Sequence, residues 1–317
     1  MRTYLIRATV LISLYVCSQL SIAGEFKILP KPEKISRHVY AWIGPHGGPN
    51  TRNKGYRMNM AFVVGKNSVA VLESGYYPEM GKEIIGRIRE ITRLPIKYVI
   101  NSNSQPDRFL GNDAFKKVGA KIITSEKEAQ RMAENGNNYA MMLEMIMKFK
   151  QSEIKLPDPP DMQLTSGTKL DLGGGVIVDI HLHKAAHTPA PLIINIPVDK
   201  FVYAGDILYS GRLLAITSGG NIREWKETYQ YLKKFKGATF IPGHGKPAKL
   251  SGFDKSTYQY LDLLDTHMTR MVEAGVDLQD AINRLDQSAF SYLENYQDLA
   301  GRNASRAYLE AESAAFN

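Results

Sequence analysis

The run Ile96-Lys97-Tyr98-Val99-Ile100 limits the fold more than any other stretch. It is short, mostly apolar and set off by Pro95, which reads as a buried strand. A one-sided helix precedes it, with Ile84, Ile85, Ile88 and Ile91 at helical spacing between Pro78 and Thr92. A short helix near Asn112 to Lys117 and a further strand, Ala120 to Thr124, follow. Strand and helix in alternation specify a layered α/β domain. Open α/β sheets place their chemistry where a strand stops, and here that end is Asn101 to Asn112, polar throughout its first half.

The rest of the chain fits around this core. His38 to Ile43 reads as a strand, and Met60 to Val64 with Ser68 to Leu72 reads as a hairpin turned at Gly65-Lys66-Asn67. Between them, Gly44 to Gly55 is loop chemistry, in which His46 reads as a surface histidine. Glu73-Ser74-Gly75 reads as a turn, with Glu73 a turn partner. Ser125-x-x-Glu128 is a capping signal for a helix to Lys150, broken at Asn135-Gly136-Asn137-Asn138. Its Met141, Met142, Met145 and Met147 read as core packing. Pro157-Asp158-Pro159-Pro160 marks a linker between two halves. Strands resume at Lys169 to Leu172 and Val176 to Leu182, where His181 and His183 read as structural or cleft-edge residues. Strands at Leu192 to Pro197 and Phe201 to Asp206, a helix at Ile222 to Phe235 and a helical tail from 253 complete the pattern.

Four motifs, in order, carry a family resemblance. The first is Asn101-Ser102-Asn103-Ser104-Gln105-Pro106-Asp107-Arg108 with Gly111-Asn112. His187-Thr188-Pro189-Ala190-Pro191, the strand ending at Asp206, and Phe240-Ile241-Pro242-Gly243-His244-Gly245 follow. Together they resemble the metallo-β-lactamase superfamily, whose first motif reads Asn-Thr-His-x-His-x-Asp-His. The tail, including Arg302-Asn303-Ala304-Ser305-Arg306, resembles that of the periplasmic zinc hydrolases of quinoprotein relay systems. The resemblance implies a four-layer αβ/βα sandwich over residues 24–252, with 253–317 a helical extension of the same domain.

It also implies a site. In that family two zinc ions share a bridging water. Carried over by position, the first ion's three histidines fall on Asn103, Gln105 and His187. The second ion's ligands fall on Asp107, Arg108 and His244, with Asp206 bridging. His187, Asp206 and His244 are thus residual metal positions, and Asp107 is the catalytic candidate. Asn103, Gln105 and Arg108 are degenerate positions. A carboxamide oxygen is a weak zinc ligand beside imidazole, and a guanidinium has no lone pair to give. Two unit charges about 4 Å apart repel by about 4 kcal/mol in a partly screened site, and a dication doubles that. The expectation is no cofactor, with Arg108 paired to Asp107 or Asp206. The alternative is one zinc on Asp107, Asp206, His187 and His244 with Arg108 swung away; calcium or magnesium could use Asn103 and Gln105 as well.

Residues 1–23 have the form of a secretory signal: Arg2 and Arg7, an apolar stretch from Ala8 to Val16, and Ser21-Ile22-Ala23 before Gly24. Cys17, the single cysteine, leaves with it, so the processed chain has no thiol. The expected location is periplasmic or secreted, with no membrane span after cleavage. The formal charge of +8 falls to +6 without those two arginines, and basic residues are spread rather than clustered. That excludes a nucleic-acid stripe. The functional expectation is a non-hydrolytic or weakly active homologue whose old cleft binds a small-molecule ligand or a periplasmic protein partner. Its rival is a mononuclear hydrolase of ester, thioester or lactam substrates.

Overall fold

The computed structural model describes residues 28–149 and 155–316. The signal segment and Cys17 lie outside the described residues.

Two sheets lie face to face. The first runs in sequence order: β1 (Glu33–Lys34), β2 (Val39–Trp42), β3 (Met60–Val64), β4 (Val69–Leu72), β5 (Ile96–Ile100), β6 (Lys121–Ser125) and β7 (Met162–Leu164). β1 to β4 pair antiparallel and β4 to β7 parallel. Helices α1 (Pro78–Ile91), α2 (Pro106–Phe109), α3 (Asn112–Lys116) and α4 (Glu126–Met147) make the connections. The second sheet contains β8 (Thr168–Asp171), β9 (Ile177–Leu182), β10 (Leu192–Ile196), β11 (Phe201–Tyr209) and β12 (Thr239–His244), ordered β12-β11-β10-β9-β8. Its one parallel pair, β11 with β12, is joined through α5 (Ile222–Tyr231). The tail forms α6 (Tyr260–Glu273), α7 (Leu278–Asn283) and α8 (Tyr296–Ala315).

The strand pleat explains the layers. In β3 and β4, Met60, Phe62, Val69 and Val71 enter the core under the helices, while Ala61, Val63, Ala70 and Leu72 enter the core between the sheets. A sheet buried on both faces needs apolar residues at every position, so its strands read as unbroken apolar runs. The second sheet's outer face shares a third core with α5, α6 and α8, through Trp225, Leu264, Met268, Ala304 and Ala307. Helix, sheet, sheet and helix stack as a four-layer αβ/βα sandwich. No described helix is long and apolar enough to cross a membrane.

Three expectations need correction. α4 runs unbroken through Asn135 to Asn138. Gly136 is buried there, and a Cβ on it would lie 2.5 Å from the Leu156 side chain, so the glycine admits a neighbour instead of ending the helix. Two of the four methionines, Met141 and Met145, are 62% and 68% exposed, on the face of α4 turned away from the core. The Pro157 to Pro160 segment does not divide the halves, because β7 follows it and still pairs with β6. The passage to the second sheet comes between β7 and β8.

Candidate active-site cleft

β5 stops at Ile100, and a polar loop turns into α2 at Pro106. The loop is held from below. Asn101 Nδ2 donates to the Arg108 carbonyl at 2.7 Å, and the Asn101 and Asn112 carboxamides exchange bonds of 3.2 and 2.9 Å. The Ser104 N–H donates to Glu128 Oε2 at 2.8 Å, and the Ala190 N–H donates to Glu128 Oε1 at 2.8 Å. One carboxylate on α4 therefore joins the first-half loop to the turn carrying His187.

Asp206 and His244 come from the parallel pair β11 and β12. The register of that pair shifts on both sides of Gly205, and such a bulge re-aims the next side chain. Asp206 consequently points across to the first half. Arg108 Nη2 donates to Asp206 Oδ1 at 2.6 Å, and Arg108 Nε donates to Asp206 Oδ2 at 3.1 Å. The side chains are 0% and 2% exposed. Asn103 Nδ2 adds a third donor, to Asp206 Oδ2 at 2.8 Å. Arg108 Nη1 donates to the Asn59 carbonyl at 3.2 Å, and Asp107 Oδ1 stands 3.6 Å from Arg108 Nε.

The charges follow from this wiring. Burial, the largest single influence, works against ionising Asp206, but the Arg108 guanidinium together with the surrounding donors, Asn103 among them, reverses it and holds the carboxyl far below the usual carboxylate range. Burial likewise works against charge on Arg108, and Asp206 and then Asp107 reverse it. Burial pushes both His187 and His244 down, keeping the imidazoles neutral. Each turns Nδ1 to a backbone carbonyl, Ala215 at 2.7 Å and Arg57 at 3.0 Å, which leaves Nε2 facing the cleft. His244 Nε2 lies 3.5 Å from Asp206 Oδ1.

Asn103, Arg108, Asp206 and His244 thus meet in direct contact, with Asp107 alongside and His187 within electrostatic reach of Asp206. Gln105 takes part through its main chain, its N–H donating to Asn103 Oδ1 at 2.8 Å and its carbonyl accepting from the Arg108 N–H at 2.9 Å. His181 and His183 lie elsewhere, against Tyr231 on the outer side of the second sheet.

A family model described as the metallo-beta-lactamase superfamily matches residues 55–244. The chain belongs to the metallo-beta-lactamase superfamily. Solved structures of the same fold include a metallo-beta-lactamase from Pontibacter korlensis, 19% identical with a TM-score of 0.59, covering 73% of this chain and 98% of that one. VMB-1 is 18% identical with a TM-score of 0.58, over 75% of this chain and 97% of its own. TMB-1 is 16% identical with a TM-score of 0.57, over 74% and 97%.

The metal centre that the superfamily implies does not fit the residues of this member. Asp206 receives three N–H donors on its two oxygens. Asn103 turns its amino group, not its oxygen, toward Asp206, and its oxygen is taken by Gln105. A cationic fork sits against the carboxylate that a metal ion needs. Among the described residues, no group of three or more His, Cys, Asp or Glu is placed to hold a metal ion.

Several residues around this site escaped sequence reasoning. Glu73 is not a turn partner but a fully buried carboxyl at a φ of +72°, accepting the Ser102 N–H at 3.1 Å. Burial pushes it up to about 8, against the pull of Arg108 and Ser102. Asn59 is buried, and its side chain donates to the carbonyls of Pro242 and Gly245, each at 2.8 Å, tying β3 to the His244 turn. His46 is half-buried rather than a surface residue, and its carbonyl accepts from Arg212 and Asn295. The Glu73-Ser74-Gly75 run announces a turn and not a buried carboxyl, and Asn59 and His46 gave no signal of their roles.

Proposed function

We propose that this chain is an exported metallo-beta-lactamase-fold protein whose cleft binds a small-molecule ligand or a periplasmic partner, with little or no hydrolysis. The supporting observation is the Arg108–Asp206 fork, 2.6 and 3.1 Å, closed to solvent. A bound metal ion is what brings the pKa of water near neutrality in such hydrolases. Here an organic cation neutralises the carboxylate that would bridge two such ions. Export rests on residues 1–23 alone.

A second reading, a mononuclear hydrolase of esters, thioesters or lactams, has one observation in its favour. His187 and His244 keep Nδ1 on backbone carbonyls and turn Nε2 to the cleft, the orientation that outer-shell bonds give to metal-binding histidines, although His244 Nε2 already stands 3.5 Å from Arg108 Nη2 and from Asp206 Oδ1. A turnover screen on ester, thioester and lactam substrates, with and without added zinc, separates the two. Expected is no zinc-dependent turnover. Zinc-dependent hydrolysis abolished by Asp206→Ala would establish the second reading.

A further inference from the structure

Among the described residues, the cleft holds two guanidinium groups that no carboxylate contacts. Arg57 precedes β3 and Arg212 follows β11. Both are tied to His244. The Arg57 carbonyl accepts from His244 Nδ1 at 3.0 Å, and the Ser210 N–H, two residues before Arg212, donates to the His244 carbonyl at 3.0 Å. Arg212 is 6% exposed, and its guanidinium makes one long bond, Nη1 to the His46 carbonyl at 3.5 Å. Arg57 is half-buried. Both arginines leave Nε buried without a hydrogen-bond partner, and His46 Nδ1 is a third such nitrogen beside them. Among the described residues, neither arginine enters an ion pair. Asp206 and Asp107 reach Arg212 only through space, and both already face Arg108, at 2.6 and 3.6 Å.

This is an unfavourable arrangement for an empty protein. Burial pushes the Arg212 guanidinium down to about 10, and the charge of Arg57 pushes the same way, against the weaker opposing pull of Tyr209, Asp206 and Asp107. Native interiors pair their buried polar atoms, so several orphans in one place mark a missing partner. A guanidinium offers only donors, so that partner must be an acceptor. Planar forks match oxyanions with two bonds each, and two of them need more than one negative charge between them. A carboxylate cancels one charge; a phosphate monoester carries about 1.5 to 2 near neutral pH.

From this geometry we infer that Arg57 and Arg212, with His46 at their edge, form a slot for a dianionic tetrahedral oxyanion: phosphate, free or as the monoester of a small molecule. The slot names the group that the proposed cleft ligand carries, and rests on that reading.

The probes are inorganic phosphate, glycerol 3-phosphate for the esterified form and acetate as the single-charge control, at matched ionic strength. Calorimetric titration of the full chain reads the affinity. Expected is saturable binding of phosphate, the monoester or both, at least about tenfold tighter than acetate and weakened about tenfold or more by Arg57→Met. The tighter of the two identifies the source. Arg212→Met is expected to act in the same direction, and the half-buried Arg57 carries the test if that variant fails to fold. Phosphate and monoester binding no tighter than acetate, or unchanged in Arg57→Met, overturns the slot. The two readings fail separately. Phosphate binding through Arg57 in a protein that retains zinc upholds the slot and ends the metal-free reading. A zinc-free protein that ignores phosphate does the reverse.

Discussion

Arg108 and Asp206, 98 residues apart in sequence, form a two-pronged ion pair with Nη2 to Oδ1 at 2.6 Å and Nε to Oδ2 at 3.1 Å. The pair spans the two sheets, since Arg108 lies in α2 beyond β5 and Asp206 in β11. It fixes the halves of the sandwich against each other at the cleft.

Removing one member strands the other in a dry site. Arg108→Met is expected to cost about 3–5 kcal/mol, because an uncompensated buried carboxylate remains. Arg108→Met with Asp206→Leu is expected to be more stable than Arg108→Met alone. Urea unfolding of the two variants and the wild type measures both differences. Additive losses contradict the pairing.

Glu73 gives a pH signature of definite sign. Its folded value is pushed up to about 8, burial being the leading cause. In the unfolded chain it ionises near about 4.3. Between those values the folded state holds a proton that the unfolded state has released, so stability from this group is full below the lower value and is lost as pH rises through the upper. Glu73→Gln removes the dependence. The variant is expected to gain on the wild type as pH rises from about 5 to about 8 in parallel denaturation series. A constant gap across that range contradicts the assignment.

Gly243 has no room for a side chain. A Cβ there would lie 2.1 Å from Asp206 Oδ1 and 2.9 Å from the Asp206 backbone nitrogen. Gly243→Ala is expected to destabilise by about 1–3 kcal/mol, the usual cost of overpacking. A thermal midpoint unchanged from the wild type contradicts the close approach.

Most of the fold was legible because the central strands of both sheets are buried on two faces, so they read as continuous apolar runs such as Met60 to Val64. His244 was legible because it closes a short motif at the end of β12, and Asp206 because it closes the run Phe201 to Gly205, although β11 continues past the expected end to Tyr209. Asn59, Arg57 and Arg212 were not. Asn59 meets Gly245 across 186 residues, and no local pattern announces that meeting. Gly136 misled for the opposite reason: the local signal for a helix break was sound, and tertiary contact with Leu156 overrode it.

Restoring the missing imidazoles tests the family frame in the other direction. Asn103→His, Gln105→His and Arg108→His combined return three neutral ligands and withdraw the cation. The triple variant is expected to bind zinc in stoichiometric amount, measured by metal analysis after equilibration with zinc and desalting. No gain over the wild type contradicts the placement of those three positions.

The most direct measurement is the zinc content of the wild-type protein, purified without chelator and dialysed against metal-free buffer. With Arg108 neutralising Asp206, the expected result is far less than one zinc per chain, and no recovery on adding zinc. One firmly held zinc per chain contradicts the claim that the guanidinium has taken the metal's place.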